Sequence, residues 1–144
     1  MRLLFSVLIC AICLTAEAAP PKPPICVDAG GEDKVGQVVV YRLKSEIRNA
    51  GVFSLVDSCD DATYMLAIKT VDPENPPDNG QATVYSAVFN VKSATKGLFY
   101  FGASTTGLCG QKVVTQCVVG IASFADDNLA MLREVWKNSQ SKAK

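Results

Sequence analysis

Two segments near the middle of the chain constrain the fold most. "ATYMLAIKTV" (62–71) alternates so that Tyr64, Leu66 and Ile68 share one face, and "ATVYSAVFNVK" (82–92) does the same with Tyr85, Ala87, Phe89 and Val91. A period of two is the signature of a strand with one buried face. Between them stands "DPENPPDNG", in which prolines lead into Asp78-Asn79-Gly80. Asn and Gly tolerate the positive φ of tight hairpin turns, so the two segments read as an antiparallel hairpin. The sheet must extend beyond it, because a lone hairpin is marginal in water. "VFSLVD" before the pair, with Phe53 and Leu55 on one face, and "LFYFGAS" after it supply further strands. "ICVDAGG" reads as a short first strand ending at Gly30 and Gly31.

Two segments carry helical periodicity. Val35, Val39, Leu43 and Ile47 recur every four residues, with Val38 and Ala50 widening the stripe and Arg42, Lys44 and Arg48 facing away. Asp33 is placed to cap this helix and Gly51 to stop it. Val38-Val39-Val40 favours a strand instead, because β-branched residues are poor helix formers. The four-residue period decides for helix. The second helix runs from about Gln111 to Trp136, with Val114, Val118, Ile121, Ala125, Leu129, Leu132 and Trp136 at three-four spacing. Gly120 and Asp126-Asp127 are placed to divide it, the acids favouring a new helix start. The expected class is α+β: a largely antiparallel sheet of four to five strands with two helices packed on one face, tied by disulfides.

The first 18 residues stand outside that domain. Arg2 precedes an apolar run from Leu3 to Leu14, and Ala16-Glu17-Ala18 fits a cleavage site. This reads as a secretory signal peptide, too short to span a bilayer. Residues 19–24 are a proline-rich spacer, 25–137 a single domain, and 138–144 a polar tail. The 14 basic and 14 acidic residues cancel, and the leader takes one of each, Arg2 and Glu17, with it. A nucleic-acid partner usually needs a basic face, so none is expected, and no later apolar segment is long enough to span a membrane.

Four of the six cysteines survive cleavage: Cys26, Cys59, Cys109 and Cys117. In an exported chain they read as two disulfides. Cys109–Cys117 closes the shortest loop and leaves Cys26–Cys59, although three pairings are open. In one continuous helix Cys109 and Cys117 would lie about 12 Å apart, beyond the reach of a disulfide. That pairing therefore needs the last helix to begin after Cys109.

"EIRNAGVFSLVDSCDDATYMLAIKTVD" (46–72) resembles a pattern in bacterial envelope proteins: a helix ending at a small residue and Gly, then Phe and a short strand, then a longer strand near an Ala-x-Tyr-like signal. The amino-terminal domain of the Tol–Pal translocation protein and the curli-export lipoprotein family are similar in this sense. The resemblance implies a fold and an envelope location. It carries over no functional residue. The present chain departs from the pattern in the short link between its two strands and in its cysteines.

Catalytic motifs are incomplete. In "LFYFGASTTGLCGQKVV", Gly102 and Gly107 have phosphate-loop spacing, but Leu108 and Cys109 stand where Lys and Ser/Thr are needed. Ser104 sits as in a nucleophile elbow, yet Thr106 replaces its second glycine. The chain has no histidine, which removes a Ser-His-Asp triad. Only a Ser104–lysine pair, with Lys96 or Lys112, stays formally open. The stretch is read as a strand end and turn that positions Cys109. The four cysteines left after cleavage contain no C-x-x-C pair that would suggest zinc or redox chemistry. The acidic groups Asp57, Asp60, Asp61 and Asp72, Glu74, Asp78 do not fit a calcium loop. No cofactor and no metal are expected. Trp136 reads as a core or interface aromatic.

These readings point to an exported non-enzymatic module, a small periplasmic component that binds another envelope protein through a sheet edge or polar sheet face. Two alternatives stay open: a carrier of a small apolar ligand, with a pocket lined by Phe89, Phe99, Phe101 and Phe124, and a hydrolase using Ser104 or clustered acids.

Overall fold

The computed structural model describes residues 21–31, 33–73 and 80–142. The expected signal peptide, the first part of the spacer, and Asp78 and Asn79 of the hairpin turn lie outside the described residues. Along the chain run β1 (Pro24–Gly30), α1 (Lys34–Ala50), β2 (Ser54–Leu55), a 3-10 turn (Cys59–Asp61), β3 (Tyr64–Val71), β4 (Ala82–Lys92), β5 (Phe99–Gly110), a second 3-10 turn (Gln111–Val113) and α2 (Val114–Lys142). The α+β class holds. Among the described residues the sheet has five strands in the order β2-β1-β3-β4-β5.

β3 and β4 form the expected antiparallel hairpin, with Val71 opposite Val84 at its turn end. β5 continues the antiparallel meander. β1 differs: it pairs in parallel with both β2 and β3. Parallel neighbours need a crossover connection, and α1 supplies it. Most of the pairing is still antiparallel, as expected.

The core lies between the inner sheet face and the two helices, with Ile25, Val39, Leu43, Leu66, Ile68, Phe89, Ile121 and Leu129 all buried. Phe89 packs on Tyr64 at 5.4 Å between ring centres and on Phe53 at 6.5 Å. The helices also touch each other, where Arg42 Nη1 donates to Thr115 Oγ1 at 3.0 Å.

α1 begins as the sequence indicates. Asp33 Oδ1 accepts from Gly36 N at 2.7 Å, and Gly51 at φ 73° closes the far end. The buried stripe is Val35, Gly36, Val39, Leu43 and Ile47. Val38 and Ala50, expected to widen it, are exposed, because the helix rolls toward Gly36 and Val40 instead. Gly36 permits that roll. A Cβ there would stand 2.2 Å from Thr70 Oγ1 and 2.5 Å from Asp33 Oδ2, both in buried residues.

α2 is unbroken. Gly120 and Asp126-Asp127 lie inside it, because Ile121, Ala122, Ala125 and Leu129 are all held against the core across the expected break. The helix also continues through Asn138–Lys142 with exposed side chains. Gly120 has nothing within 4 Å of an added Cβ.

The two helical glycines therefore predict opposite outcomes. Gly120→Ala should stabilise by about 1 kcal/mol, the ordinary helix preference. Gly36→Ala should destabilise by about 1–3 kcal/mol through overpacking. Thermal melts of both variants check this, and shifts of the same sign would contradict the close packing of α1 on β3.

Candidate functional site

β5 departs most from expectation. The segment read as a strand end and glycine turn is strand through Gly110, 12 residues in all. Its glycines serve pairing rather than turning. Ala103 faces Phe89 and Phe101 faces Asn90, so Gly102 is the extra residue of a bulge. A Cβ at Gly102 would stand 2.9 Å from the Phe89 carbonyl oxygen, too close for a side chain. Gly107 lies directly opposite Tyr85, whose ring covers it: an added Cβ would fall 2.6 Å from Tyr85 Oη. An aromatic cross-strand partner over a glycine shields the backbone where no side chain can.

The bulge reverses which residues face inward. Before it in the chain, Phe99 and Phe101 take the outer face, and Lys92 Nζ lies 5.5 Å from the Phe99 ring centre. After it, Ser104, Thr106 and Leu108 point outward, and Cys109 is buried.

Among the described residues β5 pairs only with β4 and is the last strand of the sheet. Its sequence, "FYFGASTTGLCG", contains no charge and no proline. Edge strands usually carry lysines, prolines or short lengths that discourage further pairing. The opposite edge, β2, obeys that rule with two residues. β5 does not. Beside it on the outer face, Val71, Val84 and Leu108 lie in one cross-strand row, 64%, 42% and 65% exposed. Near its start, Leu98, Tyr100 and Phe101 are exposed as well.

The other candidate residues separate. Ser104 is exposed opposite Val88 in mid-strand. Lys96 is in the turn before β5 and Lys112 in the 3-10 turn after it. At about 3.3 Å per residue, both ends of the strand are more than about 15 Å from Ser104, so neither lysine can serve it as base. Phe89, Phe99, Phe101 and Phe124 do not share a pocket. Phe89 is in the core, Phe99 and Phe101 are on the outer face, and Phe124 packs half-buried from α2. A carrier pocket lined by all four, one of the alternatives the sequence leaves open, would need them to face one space, and the bulge turns Phe99 and Phe101 to the outer face.

Among the described residues no group of three or more Asp, Glu or Cys is placed to hold a metal ion. Asp60 and Asp61 belong to the first 3-10 turn, where Ser58 Oγ accepts from Asp60 N at 3.2 Å. Lys92 Nζ donates to the carbonyls of Cys59 and Asp60. Asp126 has its pKa raised from its ordinary value by burial and, to a lesser extent, by the neighbouring Asp127. This follows from its place inside α2 rather than at a helix start.

Both disulfides form: Cys26–Cys59 with Cα atoms 5.2 Å apart and Cys109–Cys117 at 6.0 Å. α2 starts at Val114, after Cys109, as the second pairing requires. Cys26 is on the outer sheet face, where the 3-10 turn bearing Cys59 covers it. Among the described residues no helix is long and apolar enough to cross a membrane.

Comparison of the chain with protein-family models and with curated proteins finds no match. Among solved structures, similar folds include a PelC dodecamer from Paraburkholderia phytofirmans. It is 14% identical with a TM-score of 0.45, over 73% of this chain and 89% of that one. Another is an uncharacterized lipoprotein B from Nitrosomonas europaea, 12% identical with a TM-score of 0.32, over 80% and 83% of the two chains. Likeness at this level concerns the arrangement of elements and assigns no residue a role.

Proposed function

We propose that this chain is an exported, non-enzymatic interaction module of the bacterial cell envelope that holds a partner protein by strand addition to β5. The observation that carries the reading is the 12-residue edge strand without charge or proline. Strand addition satisfies the free N–H and C=O groups of an edge through main-chain hydrogen bonds, and alternate side chains give specificity. The partner segment would be extended and uncharged, with apolar residues that continue the row Val71, Val84, Leu108. Two disulfides agree with an oxidising compartment outside the cytoplasm, and the leader-like first 18 residues agree with export.

Ser104→Lys with Thr106→Lys tests the reading. Both side chains are exposed, so the folded chain tolerates them, while edge lysines oppose further pairing. Crosslinking in intact cells followed by recovery of this chain should lose the partner at least tenfold. The melting temperature of the purified variant should move by no more than a few degrees. Equal partner recovery from the variant, or a monomer with no crosslinked partner in either form, would overturn the proposal.

A further inference from the structure

A groove of about 520 Å³ lies where the last turns of α2 pass the ends of β3 and β4. Tyr64, Val91, Leu132 and Trp136 give it an apolar lining, and Arg133 and Lys137 flank it. Leu132, Arg133, Trp136 and Lys137 come to one side of α2 because three- and four-residue steps return to the same helix face. Trp136 is 71% exposed. Of the two places open to it, core or interface, it takes the exposed one, because α2 has passed the edge of the core by that point. Lys92 also reaches the groove, with its Nζ committed to the carbonyls of Cys59 and Asp60. Among the described residues Arg133 and Lys137 have neither an ion pair nor a hydrogen bond, and no carboxylate lines the groove.

We propose that this groove binds a free single-chain anionic amphiphile, the carboxylate of a medium-length acyl chain. The volume is in the range of small-molecule sites, whose linings are mainly apolar with a few placed polar groups. Charge complementarity sets the head group. In a chain of zero formal net charge, this site offers two unpaired cations and no acid. Guanidinium suits a carboxylate in particular, because its paired N–H groups match the two oxygens. The acyl chain would lie along Tyr64, Val91 and Leu132 and cover the exposed Trp136 ring. The site is separate from the outward positions Ser104 and Thr106 of β5, so it does not rest on strand addition.

Trp136 is the only tryptophan of the chain, so its fluorescence reports on the groove directly. Titration with decanoate below its micelle concentration should give a saturable blue shift. Decyltrimethylammonium, with the same chain and the opposite charge, should bind at least tenfold more weakly. Arg133→Gln with Lys137→Gln should raise the decanoate Kd at least tenfold with the melting temperature unchanged. The β5 variant Ser104→Lys with Thr106→Lys should bind decanoate normally. Vesicles of phosphatidylglycerol should leave the emission unshifted, because a free amphiphile and not a bilayer is the ligand. The absence of a saturable shift, equal affinity for both head groups, or a response to vesicles alone would overturn the proposal.

Discussion

Replacing Cys26 and Cys59 together by alanine is expected to destabilise the domain by roughly 4 kcal/mol, more than any other paired change outside the core. The two cysteines are 33 residues apart. Cross-linking a loop of that length restricts the unfolded chain by roughly 3.7 kcal/mol on the chain-entropy scale. Local packing adds to this. Cys26 is 1% exposed on a sheet face that no helix among the described residues covers. The 3-10 turn at Cys59–Asp61 covers it, held by the disulfide and by Lys92 Nζ on two of its carbonyls. Loss of the disulfide frees that turn and opens β1 to water. The Cys109–Cys117 pair closes only eight residues, and its removal should cost roughly 2.5 kcal/mol. Domains of this size keep about 5–15 kcal/mol in total, so the first change approaches the threshold of folding. Urea unfolding of the two double-alanine variants measures both. Equal midpoints, or a reversed order, would show that the two links do not act as loop closures of these lengths.

The sequence showed what is periodic and local. Alternation in β3 and β4, the four-residue step of α1, Asp33 at its start and Gly51 at its end all appear as read. Direction does not show in alternation, so the parallel placement of β1 between β2 and β3 was out of reach. Glycines misled in β5. Gly102 and Gly107 look like turn residues, yet one is a bulge and the other lies under Tyr85. Both roles depend on the facing strand, which the local sequence does not contain. Gly120 and Asp126-Asp127 misled in α2 for a related reason: helix propensity is a weak prior that packing overrides. A sheet edge could be named from sequence as a route to a partner. Which strand forms that edge requires the strand order. The groove at Trp136 depends on where α2 outruns the sheet, and helical periodicity cannot reveal that.

Phe89→Ala and Phe101→Ala should separate by about 3 kcal/mol or more, although the carrier alternative read from the sequence puts both phenylalanines in one pocket. Phe89 is fully buried and holds Tyr64 and Phe53 in one aromatic group. Truncating a buried phenylalanine costs about 3–5 kcal/mol, since the core collapses only partly around the void. The lost ring pairs add to that. Phe101 is 69% exposed on the outer face, and truncation there should stay within about 0.5 kcal/mol of zero. The difference rests on Gly102. Without the bulge, strict alternation from Cys109 through Thr105 and Ala103 would carry Phe101 to the inner face. With it, Phe101 stands opposite Asn90 on the outside. Chemical denaturation of the two variants therefore reads the register of β5. Comparable losses for both would place Phe101 inside and remove the bulge. It would also alter which side chains flank the free edge on which strand addition depends.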